Sequence, residues 1–353
     1  MKISPLADFH KENRARFVES EGWSLPAHFG DPGAEYDAVR SAAGWLDLAD
    51  RGILSIAGPD SVEWLQGMLS NDVEVLDPGE GIPAAVLNIQ GKIVADVRVF
   101  RTKDAFLVDL HEPLLATVLE HLNRYLIADE VEIADLSAEL AVISLQGPAA
   151  ETALSALLEG HSLPAGELGH EEVECAGERL RAVRATHTGE PGFDLVAARA
   201  RVAAMAGLPQ ARRIPWVGSE ARETLRIEAG IPRYGVDMDA DTLLLETSLD
   251  DAVSFTKGCY LGQETVERIH SRGHVNRKLV GLVAEEDTVP APGDPVLVDE
   301  SPVGRITSAV ASPRFGCPIA LGYVHRDHIA PGSAVLIGHG DEKIVASVRA
   351  LPF

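Results

Sequence analysis

Two stretches of this chain share one grammar: an apolar period-2 segment, a Gly-Pro step, then a segment with helical periodicity. Residues 52–57 alternate as a strand, Gly58-Pro59 breaks it, and Asp60 opens a helix with Val62, Leu65, Met68 and Leu69 on one face. Residues 140–145, Gly147-Pro148 and 149–158 repeat the order. A Gly-Pro step continues neither a strand nor a helix, so each fixes a strand-to-helix corner. Another strand and helix follow each unit, 106–109 with 113–122 and 193–196 with 198–205. The pattern predicts an α+β fold carrying a weak internal duplication, with chance recurrence of a common strand-turn-helix unit as the rival reading. Neither G-x-G-x-x-G after a strand nor G-x-x-x-x-G-K-[ST] occurs, so the nucleotide folds have no local support.

After Lys278 helical periodicity vanishes. Short strands at 279–284, 295–299, 303–308, 320–324, 334–337 and 344–350 alternate with Gly/Pro turns, the pattern of a small β-barrel of about 75 residues. The expected domains are therefore 1–278, two interleaved α/β subdomains, and 279–353, the barrel. Residues 160–177, rich in Gly, Pro, His and Glu, read as an exposed connection inside the first domain. The formal net charge of −23 disfavours nucleic acid and anionic membrane except where basic residues gather. They gather between Lys257 and Lys278, where Lys257, Arg268, Arg272, Arg277 and Lys278 face only Glu264 and Glu267. That segment reads as an anion entrance or as a solvated basic loop. Cys175, Cys259 and Cys317 have no zinc spacing, and His270 and His274 lack the H-E-x-x-H pattern, so no metal site is expected. With no apolar leader or spanning stretch in the sequence, the expected location is cytoplasmic.

Three places carry candidate chemistry. Residues 88–100 read as a hairpin turning through Ile89-Gln90-Gly91-Lys92; alternation puts Asp96 on the face of Val94, Arg98 and Phe100, either solvated or in a lined pocket. Ser219 opens a helix that stops at Gly230, leaving Glu228 in the last turn, where a negative charge opposes the helix dipole at a cost of about 0.3–1 kcal/mol. A ligand or an ion pair with Arg226 or Arg233 would offset it. The run Lys257-Gly258-Cys259-Tyr260-Leu261-Gly262-Gln263-Glu264 crowds two glycines, a thiol and a ring into eight positions, the mark of backbone bends or close approach. Cys259, with cations beside it, reads as a nucleophile or soft ligand, or as a small buried residue.

That run, with 267–278 after it, resembles the YgfZ-type folate-binding proteins, relatives of the glycine cleavage aminomethyltransferase (T-protein). Ser70-Asn71-Asp72, Asn88, Gly91 and Asp96 are similar to the T-protein segment whose Asp faces the reactive edge of tetrahydrofolate, with Pro83 where T-proteins carry an aromatic residue. Residues 225–230 resemble the pterin-binding Glu segment, Tyr234-Gly235 and Asp237-Met238 continue the likeness, and 304–308 and 321–324 resemble the T-protein barrel. The resemblance implies a ring of mixed α/β folate-binding subdomains plus the barrel, with tetrahydrofolate or a one-carbon derivative as cofactor. It implies Asp96 and Cys259 as catalytic residues, and Asn88, Asp96, Glu228, Tyr234, Lys257, Tyr260, Arg268 and Arg272 as cofactor-binding ones. It further implies support of iron–sulfur cluster assembly or repair and, through it, of tRNA-modifying enzymes. The partners would then be assembly proteins or client enzymes, without direct tRNA or membrane contact. The alternatives are an aminomethyltransferase that moves a one-carbon unit to tetrahydrofolate, and a folate-sensing scaffold without turnover.

Overall fold

Both Gly-Pro steps are strand-to-helix corners in the computed structural model of the protein, which describes residues 1–158, 161–208 and 211–353. Gly58 and Gly147 adopt φ of 117° and 132°, and a Cβ would stand 2.1 Å from the Glu130 carbonyl oxygen at the first and 2.4 Å from that of Ala42 at the second. Only glycine fits either place. The helices that follow are Ser61–Met68 and Ala150–Leu157, entered by residues of the same conformation, Asp60 at φ −94°, ψ 1° and Ala149 at φ −94°, ψ 3°. Asp60 does not cap its own helix: its carboxylate accepts the Glu130 N–H at 2.7 Å, tying the corner to the loop that closes over it.

Each corner belongs to a sheet of matching plan. One has the order Gly81–Leu87, Ile93–Arg101, Ala105–His111, Arg51–Ala57, Glu132–Asp135. The other runs His170–Cys175, Glu178–Arg184, Gly192–Ala198, Leu140–Gln146, Gly44–Asp47, Trp216–Val217. In both, a three-strand meander lays its last strand antiparallel to the strand that precedes the Gly-Pro corner. The next strand in each is exchanged. Gly44–Asp47 leads into Arg51–Ala57 yet pairs with Leu140–Gln146, while Glu132–Asp135 leads into Leu140–Gln146 yet pairs with Arg51–Ala57. Trp45, Ile143, Leu145, Leu154, Phe193 and Leu195 lie in the core of the second sheet. Strand His170–Cys175 lies within the stretch 160–177 expected to be an exposed connection. Val173 and Cys175 are buried because alternate residues of that strand face the core, and His170, on the opposite face, is buried edge-on against Phe100 at 5.6 Å between centroids, whereas Gly160 lies outside the described residues.

The six C-terminal strands close a barrel in the order Arg277–Ala284, Cys317–His325, Ser301–Ser312, Pro295–Val298, Ala334–His339, Glu342–Arg349. Closure leaves no sheet edge, and Leu282, Val296, Ile306, Ile337 and Val348 fill the inside. A register shift between Ile306 and Ser308 breaks alternation, so neighbouring hydroxyls meet one carboxylate: Thr307 and Ser308 donate to Asp237 at 2.6 and 2.7 Å. Arg226 donates to the other oxygen of Asp237 at 2.5 Å. The chain divides into two compact units. The first is Met1–Val86, Ala95–Arg222 and Thr256–Tyr260; the second is Leu87–Val94, Glu223–Phe255 and Leu261–Phe353. No helix among the described residues is long and apolar enough to cross a membrane.

Candidate functional site

In the first unit the two sheets are joined by buried charge. Arg98, on strand Ile93–Arg101, lies opposite Asp109 in register and donates to it at 2.7 Å, and it reaches Asp194 of the other sheet at 2.8 Å. Arg51 donates to the second oxygen of Asp109 at 2.8 Å. Asp194 also bonds His187 Nε2 at 2.9 Å, which places a ring proton on that nitrogen. Burial opposes the charge on Asp194, but His187 and Arg98 outweigh it and hold the carboxyl well below the usual range. Burial pushes His187 down, with Asp194 opposing. At the same place burial disfavours ionisation of Asp50, and Arg222, His111 and Arg51 more than compensate.

Asp96 stands beside this network and responds in the opposite way. Burial pushes its carboxyl up, against the pull of Arg51, His111 and Arg98. The alternation Ile93, Ala95, Val97 and Val99 inward puts Val94, Asp96 and Arg98 on the half-buried face, so Asp96 belongs to a lined place. Glu167 is raised by burial too, with Arg98 and Arg184 opposing. The site thus holds carboxylates of two kinds, ion-paired ones and two, Asp96 and Glu167, that burial raises. Sequence reasoning named Asp96 and did not name Asp109, Asp194, His187, Asp50 or Arg222. The available signal was a charged residue inside an apolar strand, Asp109 in Ala105–His111 and Asp194 in Gly192–Ala198.

The run 257–264 divides between the units. Lys257 is 9% exposed and its ammonium donates to the carbonyl oxygens of Gln66, Leu69 and Asn71 at 2.7, 2.8 and 2.6 Å. Lys257 therefore caps the end of helix Ser61–Met68 and fixes Ser70-Asn71-Asp72, a task other than the anion contact expected of it. Burial pushes it down to about 8, with the charges of Asp72 and Glu74 opposing. Its ammonium also lies 5.2 Å from the centre of the buried Tyr260 ring. Cys259 is exposed beside them, and Gly258 has open space around it, so only the second glycine of the run is sterically required. Gly262, at φ 85°, would place a Cβ 2.5 Å from the Asn88 carbonyl oxygen.

In the second unit Asn88 builds the hairpin turn, its side-chain oxygen accepting from Gln90 and Lys92 N–H at 2.9 and 3.1 Å. Tyr234 is half-buried, with its hydroxyl 3.5 Å from the Ile93 carbonyl oxygen. Glu228 is fully buried; it accepts from the Ser312 hydroxyl and, at 3.3 Å, from the Arg314 N–H. The charge at this helix end is thus offset from within the protein, and Arg226, one ion-pair partner expected for it, is bound to Asp237. Arg268 and Arg272 lie one turn apart on helix Gln263–Arg272, exposed, and neither side chain forms an ion pair or hydrogen bond among the described residues. His270 of that helix stacks on Phe255, with centroids 3.8 Å apart.

The GCVT N-terminal domain family matches residues 6–257, and the glycine cleavage T-protein C-terminal barrel domain matches residues 277–353. The chain belongs to the glycine cleavage T-protein family. This T-protein relative is 34% identical to the aminomethyltransferase of Rubrobacter xylanophilus over 355 residues, 100% of this chain and 94% of the other. It is 33% identical to that of a Nostoc species over 333 residues, 91% and 87% of the two chains. The crystal structure of the glycine cleavage system aminomethyltransferase T from Bartonella henselae superposes with a TM-score of 0.88 at 26% identity, covering 99% of this chain and 97% of that one. The mixed α/β architecture and closed C-terminal barrel are those of the T-protein family.

Proposed function

We propose that this protein binds a reduced folate, tetrahydrofolate or a one-carbon derivative, and transfers a one-carbon unit in the manner of an aminomethyltransferase. The observation that carries this is Asp96: a half-buried carboxyl raised by burial, beside a network of guanidinium, imidazole and carboxylate groups held in fixed protonation states. A pterin presents N–H and amino donors together with ring acceptors, and it fits a donor set that mixes paired carboxylates with Arg98, Arg51 and Arg222. Folate when bound supplies the nitrogen that accepts the one-carbon unit. Asp96, whose carboxyl burial raises, would manage the proton at that nitrogen, and Arg98 would hold Asp109 and Asp194 in place. The whole-chain likeness to aminomethyltransferases supports the same reading.

A second reading, a YgfZ-type role in iron–sulfur cluster assembly or repair and through it in tRNA modification, draws on a separate feature. The run 257–264 carries an exposed thiol, Cys259, next to a lysine spent on the backbone. One experiment separates the two. The protein is incubated with an aminomethyl-loaded lipoyl carrier and tetrahydrofolate, and ammonia is measured. Folate-dependent release, lost in Asp96→Asn, is the expected result. Folate binding by calorimetry without ammonia release would overturn the transferase reading and leave the second.

A further inference from the structure

A cavity of about 490 Å³ in the first unit shares no lining residue with the charged network described above. Its walls are Phe9, Phe29 and Trp216, and its polar groups are Asn13, Asp31 and Glu35; neither Lys nor Arg lines it. The rings are held by the fully buried His10, which stands edge-on to Phe29 and Trp216 at 5.2 and 4.9 Å between centroids and is anchored by Asp47 at 2.8 Å. Trp216 also meets Phe9 edge-on at 5.8 Å and stacks on Trp45 at 6.0 Å.

Two carboxylates line it, Glu35 from the buried side and Asp31 at the exposed rim. Glu35 is 6% exposed, and its oxygens accept the Phe29 and Gly218 N–H groups at 2.6 and 2.8 Å. Asp31 caps helix Pro32–Ser41 through the Gly33 N–H at 2.9 Å. Among the described residues neither forms an ion pair. A buried carboxylate without an ion pair is costly, and burial raises Glu35, with the Gly218 and Phe29 N–H groups and His28 opposing and Glu220 adding to the effect. In the same wall the Trp216 indole N–H has no acceptor among the described residues. Aromatic faces draw cations, carboxylates draw them further, and with neither Lys nor Arg in the lining an anionic ligand has no cation to pair with.

We infer that this aromatic-walled cavity is a binding site for a small alkylated ammonium ion, its methyl groups against Phe9, Phe29 and Trp216 and its charge facing Asp31 and Glu35. The site is independent of the folate reading, and its occupant is a separate ligand from any bound at the charged network. A neutral apolar molecule would fill the same walls but leave both carboxylates unanswered.

The probe is choline chloride, titrated into the full chain at matched ionic strength, with tryptophan fluorescence and calorimetry as readouts. The control is 3,3-dimethylbutan-1-ol, the uncharged isostere. Saturable choline binding in the millimolar range is expected, with the isostere roughly tenfold weaker or more. Phe29→Ala should weaken choline several-fold. Asp31→Asn should do the same, and because asparagine caps a helix as well as aspartate does, its fold is retained. Equal binding of choline and its isostere, choline affinity unchanged in Asp31→Asn, or no saturation by about 100 mM choline would each overturn the assignment.

Discussion

At the scale of single residues, the physical environment separates groups that the sequence presents alike. Lys257 belongs to a basic stretch, yet its three donors are spent on carbonyls at the end of one helix. Lys257→Met should leave those acceptors unsatisfied and lower stability by about 1.5–3 kcal/mol in urea unfolding, while Arg268→Ala, at an exposed position, leaves the midpoint unchanged. His170 gives a pH dependence of known sign. Burial pushes it down to about 4, and the Arg181 guanidinium donates to its Nδ1 at 2.7 Å, which requires a neutral ring. The unfolded ring titrates near 6.5, so between pH 6.5 and about 4 the unfolded chain binds the extra proton and stability falls as pH falls. The full window is worth on the order of 3 kcal/mol. Denaturant midpoints measured across it should show a shallower slope in His170→Gln than in the parent; an equal slope would rule His170 out as a source.

Elements are placed by their corners. Gly58 and Gly147 sit at positive φ with backbone oxygens where a Cβ would be, so each strand-Gly-Pro-helix unit has one way to turn. Gly147→Ala and Gly58→Ala should each lower stability by at least about 1–3 kcal/mol, read as a fall in thermal midpoint. Gly258→Ala, in open space, should be close to neutral. That contrast tests the steric account directly, because all three changes add the same methyl group. The barrel bulge is a similar device. Slipping one residue lets Thr307 and Ser308 serve the same carboxylate, which a regular strand forbids.

At the scale of the whole molecule, charge governs which partners approach. With a net −23, self-repulsion opposes the compact state, so the thermal midpoint should rise when salt is raised from about 10 to 150 mM. The same charge makes direct tRNA binding weak at physiological salt. Submicromolar affinity in a filter assay, lost on the double change Arg268→Ala with Arg272→Ala, would overturn that expectation.

The duplicated strand-Gly-Pro-helix unit, the six barrel strands, the hairpin at 88–100 and the face of Asp96 were legible in the sequence, because each depends on local periodicity, backbone-restricted residues and the alternation of a single strand. The exchange of Gly44–Asp47 and Glu132–Asp135 between sheets was not, since a strand's pattern records that it pairs and is silent about its partner. The strand inside 160–177 was hidden by its polar alternate residues. Most of the candidate site is of the second kind. Arg98 meets Asp194 only because two sheets from distant parts of the chain face each other, and Lys257 finds three carbonyls nearly two hundred residues away. Local sequence determined the elements and their faces; tertiary structure decided which buried charges were neutralised and by what, because ion pairing depends on distance in space.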